Sequence, residues 1–135
     1  MQAQSIALIE NYYDAFNRGE WAGMLALLDD RVVHDINQGG CEQGRARFAE
    51  FLVQRARCYR ERVEDVVAMA SADGRRAAAE FTVHGTYLAD AAGLPKARGQ
   101  RYVLPAGAFF AIRDGRIARV GECRNLEDWR RQLGA

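Results

Sequence analysis

Long apolar runs are absent from this 135-residue chain, and none approaches the ~20 residues that a membrane span requires. The N-terminus shows no basic region followed by an apolar stretch, so no secretory signal is expected and the cytoplasm is the expected compartment. Cysteine is scarce. Cys41, Cys58 and Cys123 are odd in number and follow no framework spacing, which argues against a disulfide scaffold. Neither charge sign dominates: 19 Lys and Arg against 18 Asp and Glu leave a formal charge of +1. That balance lacks the footprint expected of a nucleic-acid or membrane-surface partner. No Cys/His group has metal-ligand spacing, so no metal is expected. The stretch from Gly39-Gly40 to Gly44 lacks the lysine and hydroxyl residue of a phosphate loop, so nucleotide hydrolysis has no support and no cofactor is expected. With no internal repeat and no linker, residues 1–135 read as a single domain.

What is present is an ordinary globular pattern, 49% hydrophobic and 27% charged, enough apolar material for a real core. Ile6, Ile9, Tyr13 and Phe16 recur at helical spacing with Leu8 and Tyr12 beside them, and Gly19 stops that helix. Trp21, Met24, Leu25 and Leu28 predict a second short helix ending at Asp29-Asp30, after which Val32-Val33 opens a strand. Asn37-Gln38-Gly39-Gly40 is turn material, and a third helix spans about 44–59. Arg55, Arg57, Arg60 and Arg62, interleaved with Glu61 and Glu64, read as a solvated face. Strand character follows over 62–70, 76–88, 100–113 and 116–124, with turns at Ser71–Gly74 and Asp114-Gly115. Leu126, Trp129 and Leu133 predict a terminal helix that caps the sheet.

Helices segregated from an antiparallel meander mean an α+β fold: a curved sheet wrapped around N-terminal helices, with a ligand pocket at its open end. The segment 89–99, rich in small residues around Gly93 and Pro95, reads as a loop at that mouth.

Five stretches carry a family resemblance: Tyr12 to Glu20, Leu27 through Asp35, Gly44 to Phe51, His84-Gly85-Thr86-Tyr87 through Pro95, and Phe109 to Ile117. Together they resemble the ketosteroid isomerase-related and SnoaL-like polyketide cyclase families of the nuclear transport factor-like superfamily, with its cone-shaped, cystatin-like fold. The resemblance implies a homodimer and a small-molecule ligand. It implies that Tyr12 stands where those isomerases keep an oxyanion tyrosine, and Asp35 where they keep a proton-shuttling aspartate. Their protonated aspartate corresponds to Gly107, which has no donor side chain, so steroid isomerisation is not expected.

The strand period of two adds further candidates. With Asp35 inward, Val33 and Asn37 share its face and His34 points away. Val120, Glu122 and Arg124 fall on the pocket side of the last strand, and Arg101, Val103, Pro105, Gly107 and Phe109 share a face of the preceding one. Phe81 and Val83 complete the expected ligand contacts. Asp35 alternatively reads as a partner of Arg101 or Arg124, Tyr12 as core packing, and Glu122 with Arg124 as an ion pair that fills the pocket. Helix rotation decides between Tyr12 and Tyr13. Cys41 reads as inert, having no placed histidine base. The expected chemistry is proton abstraction next to a carbonyl, isomerase- or cyclase-like, with Asp35 as base and Tyr12 as donor. Two alternatives stand beside it: water addition to an epoxide by Asp35, Arg101 and Glu122, and a non-catalytic binding dimer. The expected dimer contact is the outer sheet face, with Thr82, His84, Ile117 and Cys123.

Overall fold

The apolar face of the N-terminal segment forms α1 (Gln2–Asn17), which lies in the hollow of the sheet against β3 (Tyr59–Ala70) and β4 (Arg76–Tyr87). The computed structural model describes residues 1–36 and 39–135. The expected second helix is shorter than its apolar spacing suggests: α2 (Trp21–Leu25) stops early, and β1 (Leu28–Asp35) begins at Leu28, which is wholly buried. A three-residue strand, β2 (Cys41–Gln43), follows, then α3 (Arg45–Cys58). The remaining elements are β5 (Arg101–Arg113), β6 (Arg116–Arg124) and α4 (Leu126–Leu133).

The six strands form one curved, open sheet in the order β2-β1-β6-β5-β4-β3. β1 runs parallel to β6, and every other pair is antiparallel. This α+β architecture agrees with the element pattern read from the sequence, apart from β2 and the parallel β1 pairing. The Asp114-Gly115 turn takes two successive positive φ angles, +52° and +74°, which match the twist of a two-residue hairpin. Between Glu64 and Val67 the β3 ladder shifts register, with Asp65 at φ +56°. Asn17 at the end of α1 bonds both the N–H and the C=O of Val63, at 2.9 and 2.8 Å. These two bonds dock the helix beside the shift.

Local signals fix α4. Asn125 accepts from the Asp128 N–H at 2.9 Å, Glu127 and Asp128 occupy the first turn, Arg130 and Arg131 the last, and Gly134 closes it at φ +99°. The helix carries Trp129 over the open end of the sheet. Among the described residues no helix is long and apolar enough to cross a membrane.

One inner row of the sheet shapes that end. Glu61, Gly85 and Tyr102 are lateral partners on β3, β4 and β5. Gly85 has no side chain, so the Tyr102 ring lies across it and the phenol donates to Glu61. A Cβ at position 85 falls inside the Tyr102 ring. Gly85→Ala is therefore expected to lower stability by about 3 kcal/mol, since an overpacked core forces ring and backbone to move. A shift below about 1 kcal/mol in urea denaturation would show that the row relaxes freely.

Candidate functional site

A cavity of about 210 Å³ lies at the capped end of the sheet. From α1 it receives Tyr12, Tyr13 and Phe16, because both tyrosines are buried and helix rotation admits the pair. From β1 it receives His34, and from β6 Val120, Glu122 and Arg124. β3 contributes Glu61 and Val63, α3 contributes Phe51 and Arg55, and α4 closes the space with Leu126 and Trp129.

The charges at its wall form a network centred on Arg124, whose side chain is 3% exposed. Nη1 donates to Glu61 Oε2 at 2.7 Å and Nη2 to Glu61 Oε1 at 3.3 Å, while Nε donates to Glu122 at 2.7 Å. The Trp129 ring lies 4.8 Å from the guanidinium carbon. Burial alone would raise the Glu61 carboxyl pKa, but the Arg124 and Arg55 charges and two hydrogen-bond donors outweigh it and hold the group below the usual range. Burial opposes the Arg124 charge as well, and there Glu122 and Glu61 win and keep it ionised.

The uncharged groups are tuned oppositely. Burial, then the nearby Glu122 carboxylate, raises the Tyr12 phenol; burial, then Tyr12 and Glu122, raises Tyr13. Both stay protonated hydrogen-bond donors. His34 packs against Phe48 and Phe51 with ring centroids 4.7 and 4.5 Å away. Burial lowers its pKa below the ordinary value, against the pull of Glu42 and Glu122. The imidazole is thus neutral near pH 7, and its Nδ1 has no hydrogen-bond partner among the described residues. A neutral base, two phenolic donors and a fixed charge pair around one small apolar space can move a proton to and from carbon.

The structure brings Tyr12, Val120, Glu122 and Arg124 to the cavity wall and separates Asp35, Phe81, Val83, Arg101 and Phe109 from it. Asp35 does not reach the cavity. It pairs across the outer face with Arg119, Nε to Oδ2 at 2.6 Å, and sits opposite Gly121. The physical reason is the parity of β1: Val32 and His34 are buried, so Val33 and Asp35 turn outward. Burying a neutral imidazole against two phenylalanines costs far less than burying a carboxylate there. Asn37 lies outside the described residues.

β5 corrects in the same way. Tyr102, Leu104, Ala108 and Phe110 are buried, which places Arg101 and Phe109 on the exposed face, Phe109 at 62%. The bulkier apolar set faces inward, a signal already present in the sequence. Gly107 is on the outer face too, opposite Glu80; its inward neighbours Ala106 and Ala108 also lack a donor. Phe81 and Val83 point inward but belong to the core beneath the cavity, where Phe81 packs against Tyr13 at 4.7 Å. Asp35, Arg101 and Glu122 are not brought together, so the arrangement expected for epoxide opening is not formed. Sequence reasoning missed His34, Arg55 and Glu61. The last two sit in an alternating charge run that looked solvated, yet the Glu61 side chain is 4% exposed.

The SnoaL-like domain model matches residues 9–120. The chain belongs to the SnoaL-like family. A candidate polyketide cyclase from Pseudomonas putida KT2440 is 58% identical, with TM-score 0.95, covering 96% of this chain and 98% of that one. Another from Xanthomonas campestris pv. campestris is 49% identical, with TM-score 0.97 and 98% of each chain covered. An LEH-like epoxide hydrolase of M. tuberculosis shares the fold at 17% identity and TM-score 0.74, covering 98% of this chain and 86% of that one. A comparison with curated proteins finds no match.

The buried network makes a stability prediction for this SnoaL-like protein. Glu61→Ala leaves Arg124 under-compensated and Tyr102 without its acceptor, and is expected to cost about 3 kcal/mol. Glu42→Ala, which removes the half-buried partner of the exposed Arg47, is expected to cost under about 1 kcal/mol. Equal losses for the two variants in denaturant titrations would show that the inner pair is no more than a surface contact.

Proposed function

We propose that the protein is an enzyme that removes a proton from carbon next to a carbonyl in a small cyclic substrate, leading to isomerisation or ring closure, with His34 as the base. The observation that carries this reading is a buried, neutral histidine in a cavity shared with two protonated tyrosines. His34 accepts the carbon-bound proton, and the electrons of that C–H bond move to the carbonyl oxygen as an enolate. The Tyr12 or Tyr13 hydroxyl hydrogen-bonds to that oxygen. His34 then returns the proton at another carbon in an isomerisation; in a cyclisation the enolate carbon attacks a second carbonyl, whose π electrons move to its oxygen, and His34 gives the proton to that alkoxide. The two candidate polyketide cyclases at 49% and 58% identity support carbon-acid chemistry of this kind.

Cavity size supports a narrow substrate class. An engineered cavity of about 150 Å³ holds benzene. One of about 210 Å³ therefore suits a single substituted ring better than four fused ones. Arg124 has both carboxylates as partners, so it acts as a rigid wall and a source of positive potential.

The test is deuterium exchange at the α-carbon of cyclic ketones and β-diketones, followed by NMR. His34→Gln is expected to lower the exchange rate about a hundredfold or more, with ligand affinity little changed. Because only the neutral imidazole accepts a proton, kcat/KM should rise with pH through an apparent pKa below 6.5, the ordinary value that burial depresses. The raised phenols should add no alkaline limb near neutrality. Exchange unaffected by His34→Gln would remove His34 as the base. Tight binding with no exchange across the panel would favour the binding-module reading.

A second copy of the chain is the partner we propose for the outer sheet face. Phe109, Val103, Val67 and Met69 are exposed there, among Thr82, His84 and Cys123. Ile117, expected on this face, is instead wholly buried, because a register shift between Ala111 and Ile112 turns it inward. Exposed apolar side chains on a sheet face mark a contact surface. Light scattering at micromolar concentration should give twice the chain mass, and Phe109→Glu should give the chain mass alone. A wild-type monomer would overturn this assignment.

A further inference from the structure

Arg55 separates two spaces. Its guanidinium lies over Phe51, Tyr59 and Trp129, 5.4, 5.6 and 5.0 Å from the ring centroids. On one side is the cavity already described. On the other is an open cleft of about 350 Å³ between the end of α1 and the start of β3, whose wall includes Arg18, Trp21, Tyr59 and Arg60. Phe16, Arg55 and Glu61 border both spaces.

The charges of this border are unequal in their commitments. Glu61 is occupied by Arg124 and Tyr102. Arg55 approaches it only to 4.0 Å, beyond hydrogen-bond length. Its buried Nε has no hydrogen-bond partner among the described residues. Arg18 is paired with Asp14 and Glu20. Glu61, the one carboxylate of the cleft among the described residues, shares its single charge between Arg124 and Arg55, so Arg55 and Arg60 leave the cleft with net positive charge.

An under-hydrogen-bonded guanidinium held flat among aromatic rings is preorganised for a planar anion. We propose that Arg55 is a specificity residue: the substrate is a two-part molecule whose ring occupies the cavity and whose carboxylate arm pairs with Arg55 and points into the cleft toward Arg60. A carboxylate fits better than a phosphoryl group, because among the described residues no Ser or Thr hydroxyl lines the cleft to serve a third oxygen. This assignment rests on the cavity being the reaction site and names the substrate class for it.

Calorimetric binding of benzoate, 3-phenylpropionate and 4-phenylbutyrate, each against its neutral amide, tests the proposal without requiring turnover. The longer acids should bind wild type about tenfold more tightly than their amides, as expected for one charge-assisted pair. Arg55→Met should erase that ratio, and Arg55→Lys should restore part of it. Arg60→Gln, an exposed change that leaves the core intact, should reduce it about threefold. His34→Gln should leave the acid-to-amide ratio unchanged, which separates failure of the anion site from failure of the proposed base. Equal binding of acids and amides, no binding of any probe, or a preference that survives both Arg55→Met and Arg60→Gln would overturn the proposal.

Discussion

Arg124 holds the open end of this fold together. It stands on β6, its partner Glu61 stands on β3, and β5 and β4 lie between them in the sheet. A bond across two intervening strands closes only if the sheet curls, and Gly85 supplies the low point across which Tyr102 reaches the same carboxylate. Removing these charges from water costs several kcal/mol per ion, so the network needs every one of its contacts to break even. In return, the cavity wall has fixed geometry and fixed charge.

That constraint divides the labour within the cavity. Arg124 is already matched by Glu61 and Glu122, so it is a poor reagent and a good scaffold. The groups to which the proposed function gives the proton transfer are those that burial keeps neutral: His34 among the phenylalanines, and the hydroxyls of Tyr12 and Tyr13. Arg55, at the border with the outer cleft, is charged and lightly committed, which suits recognition better than proton transfer. Under the proposed function, positioning, chemistry and recognition thus fall on different side chains.

Element order was legible because its signals are local. The apolar spacing of Ile9, Tyr13 and Phe16, the Asp114-Gly115 turn and the amphipathic 126–133 segment each specify their element within a few residues. α2 was overextended because Leu28 continues the helical spacing of Met24 and Leu25, although it opens β1 and packs as a strand residue. β2 is only three residues long and carries no pattern of its own; its pairing with Val33–Asp35 alone makes it a strand.

The sequence by itself determined the α+β class, the boundaries of every element but β2 to within a few residues, and Val120, Glu122 and Arg124 as one face of the last strand, while Tyr12 stayed open against Tyr13. Tertiary structure alone decided the parity of β1. In β1 each of the two frames, Val32 with His34 or Val33 with Asp35, offers one valine and one polar residue, so alternation cannot choose between them. The choice falls to partners distant in sequence: Phe48 and Phe51 pack against the neutral imidazole on one side, and Arg119 neutralises the carboxylate on the other. A register moved by one residue exchanges the two faces of a strand. The same nonlocal balance turned a charge run that reads as solvent-facing into the buried Glu61, because only the curled sheet brings Arg124 within its reach.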